Sequence, residues 1–434
     1  MALTKLITDL IDGSLGTDWQ ATPKTANFTA VAGEGYFVDT TSTAITVTLP
    51  SSPNVGDEVG IIDYSSNAGT NKITVTSTDN IQNSANDKAI NYDNGAVNLI
   101  YTGATKGWLV KSAANETATA LGSALPSSFS VDYLVVAGAG AGGSGYYGGG
   151  SGAGGLRTSY GTTTGGGGSA ETELTLSRNT SYTLTVGAGG TTGGTAAGSR
   201  SGGDGSNSVF STITSTGGGG AGGGGAQGDS TTDDLNGNDG GSGGGGAPSS
   251  PGGSGGAAVT SPVTQGYSGG TGSSAPGGGG GAGAAGANGT SNAGGAGGAG
   301  LAVNIISTTN ATTASVGEIS GSDVYFAGGG GTGGWSGGSP LISSGGIGGG
   351  ADGDERFSGT PNPGSTNTGG GGAGAGDASE TGGAGGSGVV ILRYPSGYSI
   401  TVGSGITEAS GSPFTEGSDK VSVFTAGTGN ISFS

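Results

Sequence analysis

Neither cysteine nor histidine occurs in the chain. Their absence removes any disulfide framework, any thiolate nucleophile and the one side chain that ordinarily titrates near neutral pH, and cysteine-rich or histidine-rich zinc sites go with them. Basic residues are scarce: 12 Lys and Arg stand against 30 Asp and Glu, a formal net charge of -18. Nucleic acid and anionic membranes both need a basic surface, so neither is expected as a partner. Hydrophobic residues fill only 31% of the 434 positions. That argues against one large apolar core, and a chain of this length suggests roughly two to four folding units. No apolar run reaches the ~18 residues of a membrane-spanning helix, so no membrane insertion is expected. The opening MALTKLITDLIDG interrupts its apolar stretch at Asp9 and lacks a small-residue cleavage site, so it does not read as a signal peptide.

Glycine is abundant instead, at 109 residues, and its distribution divides the chain. Leu3, Leu6, Ile7, Leu10 and Ile11 share one face at helical spacing and Gly13 follows as a stop, so residues 1–20 are expected to hold a short helix that anchors the chain by burying its stripe elsewhere. Period-two alternation then takes over, with Tyr36 and Val38, Ile45 to Leu49, Ile73 and Val75, and Val97 to Tyr101. Asp93, Asn94 and Gly95 give a hairpin signal. Residues 21–112 therefore predict a small antiparallel β domain, and 113–130, rich in Ser, Thr and Asn, a linker.

Residues 131–396 hold most of the glycine, about one residue in three, without the strict triplet or the proline of collagen. Short apolar strands recur in the segment and several lead straight into glycine runs, as in YLVVAGAGAGG, YTLTVGAGG and VYFAGGGGTGG. Ordering glycine is entropically expensive. A bundle of polyglycine II helices would compensate by pairing N–H with C=O on close neighbours; the plainer alternative is a flexible linker. Residues 397–434, where Val421 and Val423 then Ile431 and Phe433 alternate, predict a C-terminal β segment. The expected fold class is mainly β.

Few motifs suggest chemistry. Gly138, Gly140 and Gly143 form GxGxxG after a strand, but the following SGYYGGGSGAGG cannot make the helix a dinucleotide site requires. Asp233 with Asp234 and Asp352 with Asp354 read as solvated loop residues, with a weak calcium site left open. No catalytic residue, cofactor or metal site is expected, and the chain does not read as an enzyme. The bulky residues that interrupt glycine runs stand out: Tyr146, Tyr147, Leu235, Tyr267, Trp335, Arg356 and Phe357. Aromatics on such loops offer rigid contact area, or they simply pack on the bundle.

The segments VDYLVVAGAGAGGSGYYGGGSGAGG, SYTLTVGAGG, GSNSVFSTITSTGGGG and GGAGGSGVVILRYPSG resemble the glycine-rich tail-fibre proteins of marine and freshwater phages. More distantly, the chain is similar to the fibre-tip adhesins of T-even-like phages, in which polyglycine II stretches carry host-recognition loops. The resemblance implies a virion protein, attached by its N-terminus to other virion proteins and assembled as a homotrimer. It further implies recognition of a host polysaccharide or outer-membrane protein but transfers no individual site residue; Tyr146, Tyr147, Tyr267, Trp335, Arg356 and Phe357 are the candidate contacts because they interrupt the glycine runs. A head fibre or capsid decoration protein is the alternative; ice binding and a depolymerising tailspike are further classes that the irregular loops and absent motifs disfavour.

Overall fold

Period-two burial in the first hundred residues and three-residue periodicity in the glycine runs build two different kinds of packing. They lie in separate compact units, residues 1–126 and 127–434. The computed structural model describes residues 17–113, 122–123, 125–196, 199–224, 235–249, 251–291, 293–333, 335–336, 339–340, 342–353 and 361–434. The expected N-terminal helix, with Leu3, Leu6, Ile7, Leu10 and Ile11, lies outside the described residues.

In the first unit the strands are β1 (Asp18–Lys24), β2 (Phe28–Thr29), β3 (Glu34–Val38), β4 (Ile45–Thr48), β5 (Glu58–Asp63), β6 (Ile73–Thr76), β7 (Lys88–Ile90), β8 (Ala96–Tyr101), β9 (Trp108–Ala113) and β10 (Gly122–Ser123). They form two five-stranded sheets, β1-β3-β5-β8-β9 and β10-β7-β6-β4-β2. Alternate side chains such as Ile45, Val47, Ile73, Val75, Val97 and Leu99 enter one core with Trp108, which is fully buried.

The sheets are mixed, not antiparallel as the alternation suggested. Strands β1/β3, β3/β5, β2/β4 and β4/β6 pair in parallel. From β2 to β6 the chain changes sheet at every connection, so each strand re-enters its own sheet running the same way as the last one there. Asp93, Asn94 and Gly95 likewise make no hairpin: they carry the chain from β7 in one sheet to β8 in the other, with Asn94 at φ 61°.

The second unit is organised on an antiparallel sheet in which Leu156–Thr158, Ser128–Val136, Val389–Pro395, Asp419–Phe433, Ser181–Val186, Ser208–Phe210 and Ile213–Ser215 lie side by side in that order. The C-terminal strand Asp419–Phe433 thus sits inside this sheet. Leu134, Val136, Ile391 and Val423 pack with Ile305, Val324, Phe326 and the short helix Thr308–Ala314. Phe129 stacks on Tyr398 at 3.8 Å, and Phe433 meets Phe129, Tyr182 and Tyr394 edge-on.

Strands of this sheet continue directly into the glycine runs, which form an ordered polyglycine II bundle. Along residues 137–145, Ala137, Gly140 and Gly143 donate their N–H groups to Gly155, Gly152 and Gly149, each at 3.0 Å. Gly138, Ala141 and Ser144 donate to Ser206, Gly203 and Arg200 at 3.0, 2.9 and 2.9 Å, and Ala139, Gly142 and Gly145 to Gly386, Gly383 and Glu380 at 3.0, 2.9 and 3.0 Å. Every third residue returns to the same antiparallel neighbour, the period of a three-residue helix without internal hydrogen bonds. Runs parallel to it donate back, as Gly218, Ala221 and Gly224 do to Gly138, Ala141 and Ser144. The approach is close enough to exclude side chains at set positions: a Cβ on Gly138 would stand 2.0 Å from the Ala188 carbonyl oxygen. Gly138, Gly140 and Gly143 are therefore members of this lattice, and an antiparallel run follows them where a nucleotide fold would need a helix.

Candidate recognition end of the bundle

Because the runs are in register, the height of any turn above the sheet can be read from its hydrogen bonds. The first turn, Ser144 to Gly148, lies at the end remote from the sheet. Bonds from Ser144 N to Arg200 O, from Gly145 N to Glu380 O and from Gly224 N to Ser144 O bring three other turns to the same level. Gly353 N donates to Ser343 O at 2.9 Å and Gly331 N to Ala351 O at 2.8 Å, and Gly374 N, beside the Gly143 run, donates to Gly331 O at 3.0 Å, so Gly333 and Gly353 stand at the same end. Gly224 stands at this level too, and so does Leu235, whose carbonyl accepts from Ala247 at 2.8 Å. The sheet end carries turns as well, such as Val259 to Gln265, whose Gln265 carbonyl accepts from Leu156 of the sheet at 3.0 Å.

Tyr146 and Tyr147 sit at this remote end, half-buried, with ring centroids 6.1 Å apart and Tyr147 at φ 58°. Beside them Ser144 Oγ donates to Gly193 O at 3.1 Å and accepts from Gly382 N at 3.0 Å, joining three turns. Arg200 Nε donates to Thr195 O at 3.0 Å, which fixes a cation in the neighbouring turn. Asp377 and Glu380 are buried in another turn; Asp377 accepts from Ser379 N and Oγ, and Glu380 from Gly376 N at 3.3 Å. Trp335 lies in the connection that starts at Gly333, where Trp335–Ser336 pairs with Ser339–Pro340.

Tyr267 is elsewhere. Its N–H donates to Gly281 O and its carbonyl accepts from Gly243 at 3.0 Å each, two residues beyond Gln265, which bonds to Leu156 of the sheet. It stands at the sheet end with its hydroxyl against Gly167, so it does not join Tyr146 and Tyr147. Leu235 is buried at 7% exposure. Arg356 and Phe357 lie outside the described residues, as do Asp233, Asp234 and Asp354; Asp352 accepts from Gly345 N at 2.9 Å. Among the described residues, no group of three or more acidic side chains could hold a metal ion, and no helix is long and apolar enough to cross a membrane.

Arg200, Asp377 and Glu380 were not singled out from sequence. The signal was present, since each is a charge at the end of a glycine run. Only the register shows that these ends meet.

The family whose model is described as a glycine-rich domain matches residues 116–395 of the chain. Comparison with curated proteins returns no match.

Proposed function

The chain belongs to the glycine-rich domain family, and from that premise we propose that it is an adhesive fibre protein of a bacteriophage particle. It joins other virion proteins by its N-terminus and binds a host-surface polysaccharide or outer-membrane protein through the remote end of the bundle, as a homotrimer. One observation supports the reading: the turns holding Ser144 to Gly148, Arg200 and Glu380 come to one level at the end remote from the sheet, with Tyr146 and Tyr147 among them. Lattice positions admit almost no side chain, so chemical specificity resides where the chain leaves the lattice. Tyr146, Tyr147, Trp335 and Arg200 then supply aromatic and cationic anchors of the types enriched in binding hot spots.

The test is adsorption of particles carrying Tyr146→Ala, Tyr147→Ala or Trp335→Ala. A hot-spot residue truncated to alanine loses about 1–3 kcal/mol of binding, roughly 5- to 150-fold, with the melting temperature of the protein unchanged. Wild-type adsorption in all three variants refutes host recognition at this end and leaves a head-fibre or capsid decoration role.

A further inference from the structure

We propose that the N-terminal unit carries a separate saccharide subsite, built on Trp19 and Asn98 and sized for one pyranose ring of a neutral sugar. Five residues on five neighbouring strands stand in one row across the first sheet: Trp19 pairs with Gly35, Gly35 with Gly60, Gly60 with Asn98, and Asn98 with Ser112. Two glycines side by side in the middle of a sheet weaken it and mark a close approach of another group. Here the group is the Trp19 indole. A Cβ on Gly35 would stand 2.6 Å from its Cδ2, and one on Gly60 3.0 Å from its Cη2. The ring therefore lies flat in a trough that only glycine leaves open, and Phe37 braces it at 5.3 Å between centroids.

This arrangement holds one indole face against backbone and leaves Trp19 40% exposed. A large aromatic fixed in place and open to solvent makes a contact platform whose binding costs little side-chain entropy. Next to it opens a cavity of about 260 Å³ lined by Trp19, Ile62, Asn98 and Ser112, just below the range of roughly 300–1,000 Å³ typical of drug-sized ligands. Asn98 Nδ2 donates to Glu58 Oε2 at 3.3 Å, which fixes the amide orientation. Among the described residues no donor reaches Asn98 Oδ1, although that atom is shielded from solvent. A shielded acceptor without a donor is costly to maintain. At the same edge Lys111 Nζ bonds Glu58 Oε1 at 2.5 Å.

An apolar plate beside the Asn98 side chain, a serine hydroxyl and a charged pair matches the two-sided chemistry of a pyranose, whose C–H face lies on the ring while its rim hydroxyls donate and accept. A purely apolar side chain would leave the Ser112 hydroxyl and the Lys111–Glu58 pair unmatched, and a nucleic acid would bring phosphates to a chain of net charge -18. The subsite is independent of the remote end of the bundle: it rests on other residues in the other unit.

Saturation-transfer NMR on the full chain tests it, with methyl β-D-glucopyranoside, methyl β-D-galactopyranoside and N-acetylglucosamine as probes. The expected result is transfer to the ring protons of at least one sugar. It should fall about fivefold or more in Trp19→Ala and in Asn98→Leu, persist in part in Trp19→Phe, and stay at wild-type level in Val55→Ala, a change at an exposed residue outside the row. Asn98→Leu retains the platform and carries the test if Trp19→Ala does not fold. Absence of transfer from all three sugars, or undiminished transfer in Asn98→Leu, overturns the proposal. Transfer seen only after residues 1–13 are deleted also overturns it, since the chain's own apolar stripe would then be the occupant of the row.

Discussion

Alanine and glycine are the two smallest residues in the bundle, yet the lattice makes them non-interchangeable, and Gly142→Ala tests this. A Cβ on Gly142 would stand 1.8 Å from the Ala373 carbonyl oxygen, a backbone atom that no rotamer change can move. The run 137–145 must then shift away from the run that follows Thr368, stretching the bonds Ala375 N to Gly143 O at 2.9 Å and Gly372 N to Gly140 O at 3.4 Å. Overpacking costs about 1–3 kcal/mol, and two weakened hydrogen bonds add roughly 1–2 kcal/mol. The smaller unfolded-state entropy of alanine returns about 0.4–1 kcal/mol. The net destabilisation is about 2–4 kcal/mol. At this size about 2 °C accompanies each kcal/mol, so the second unit should melt about 4–8 °C lower.

Gly168→Ala is the matched control, because Gly168 has φ -69° and its Cβ would stand 3.3 Å from the movable Thr164 Cγ2. Thermal melting followed by circular dichroism reads both variants. Hydrogen exchange at Gly217 to Gly224 shows whether the loss is local to the bundle. A Gly142→Ala protein that melts like Gly168→Ala would refute the close-packed lattice.

Three further outcomes are expected. Ser151→Ala removes a fully buried hydroxyl that donates to Gly140 O at 2.6 Å and accepts from Gly372 N at 2.7 Å, and should cost about 1–3 kcal/mol by denaturant titration; an unchanged midpoint would mean that the bridge between these runs contributes nothing. Burial, then the hydrogen bond to Glu34, pushes the Tyr36 hydroxyl from 10.0 up to about 12. The folded state thus keeps a proton that the unfolded chain releases, so this contribution is intact below pH 10 and is lost as pH rises from 10 to 12; alkaline melts in which Tyr36→Phe falls as steeply as wild type would contradict it. Deleting residues 1–13 should leave a soluble protein absent from purified particles, and normal incorporation measured by immunoblot would remove the N-terminal anchor.

Sequence patterns revealed the kinds of local structure better than the partners. Glycine runs interleaved with strands announced an ordered bundle, because β-branched and aromatic residues such as Val135, Val186 and Phe326 recur just before them. Strand direction was hidden: alternation sorts faces but says nothing of whether Ile45 runs with or against Ile73, which depends on the chain crossing between sheets. The helix Thr308–Ala314 was missed because TTNATTA is rich in β-branched residues of weak helix propensity. It is held by tertiary contacts: Ala311 and Ala314 enter the core, and Glu416 accepts from Ser307 N and Asn310 Nδ2. Tyr267 resembles Tyr146 in sequence context, and only its distance along the run from Gln265 places it at the opposite end. Trp19 gave no signal of its own; the signal was the pair of isolated glycines at Gly35 and Gly60, whose register no local pattern reveals.

The three-residue period also explains why variation belongs at the loops. Each residue of the run 137–145 commits its N–H to one of three antiparallel neighbours in strict rotation. Inserting one or two residues within a run would turn every later N–H toward the wrong neighbour. Inserting three would restore the rotation and lift the connection by one turn, roughly 9 Å at about 3.1 Å per residue. Run length is therefore quantised. Loop length is not, since around Tyr146 and Tyr147 the chain has only to leave at Gly145 and re-enter at Gly148. Loop-closure entropy grows slowly, by about 0.6 kcal/mol for each doubling of length, so long and chemically varied connections add little strain to the bundle. A scaffold with quantised runs and unconstrained connections can change what it touches without changing how it folds.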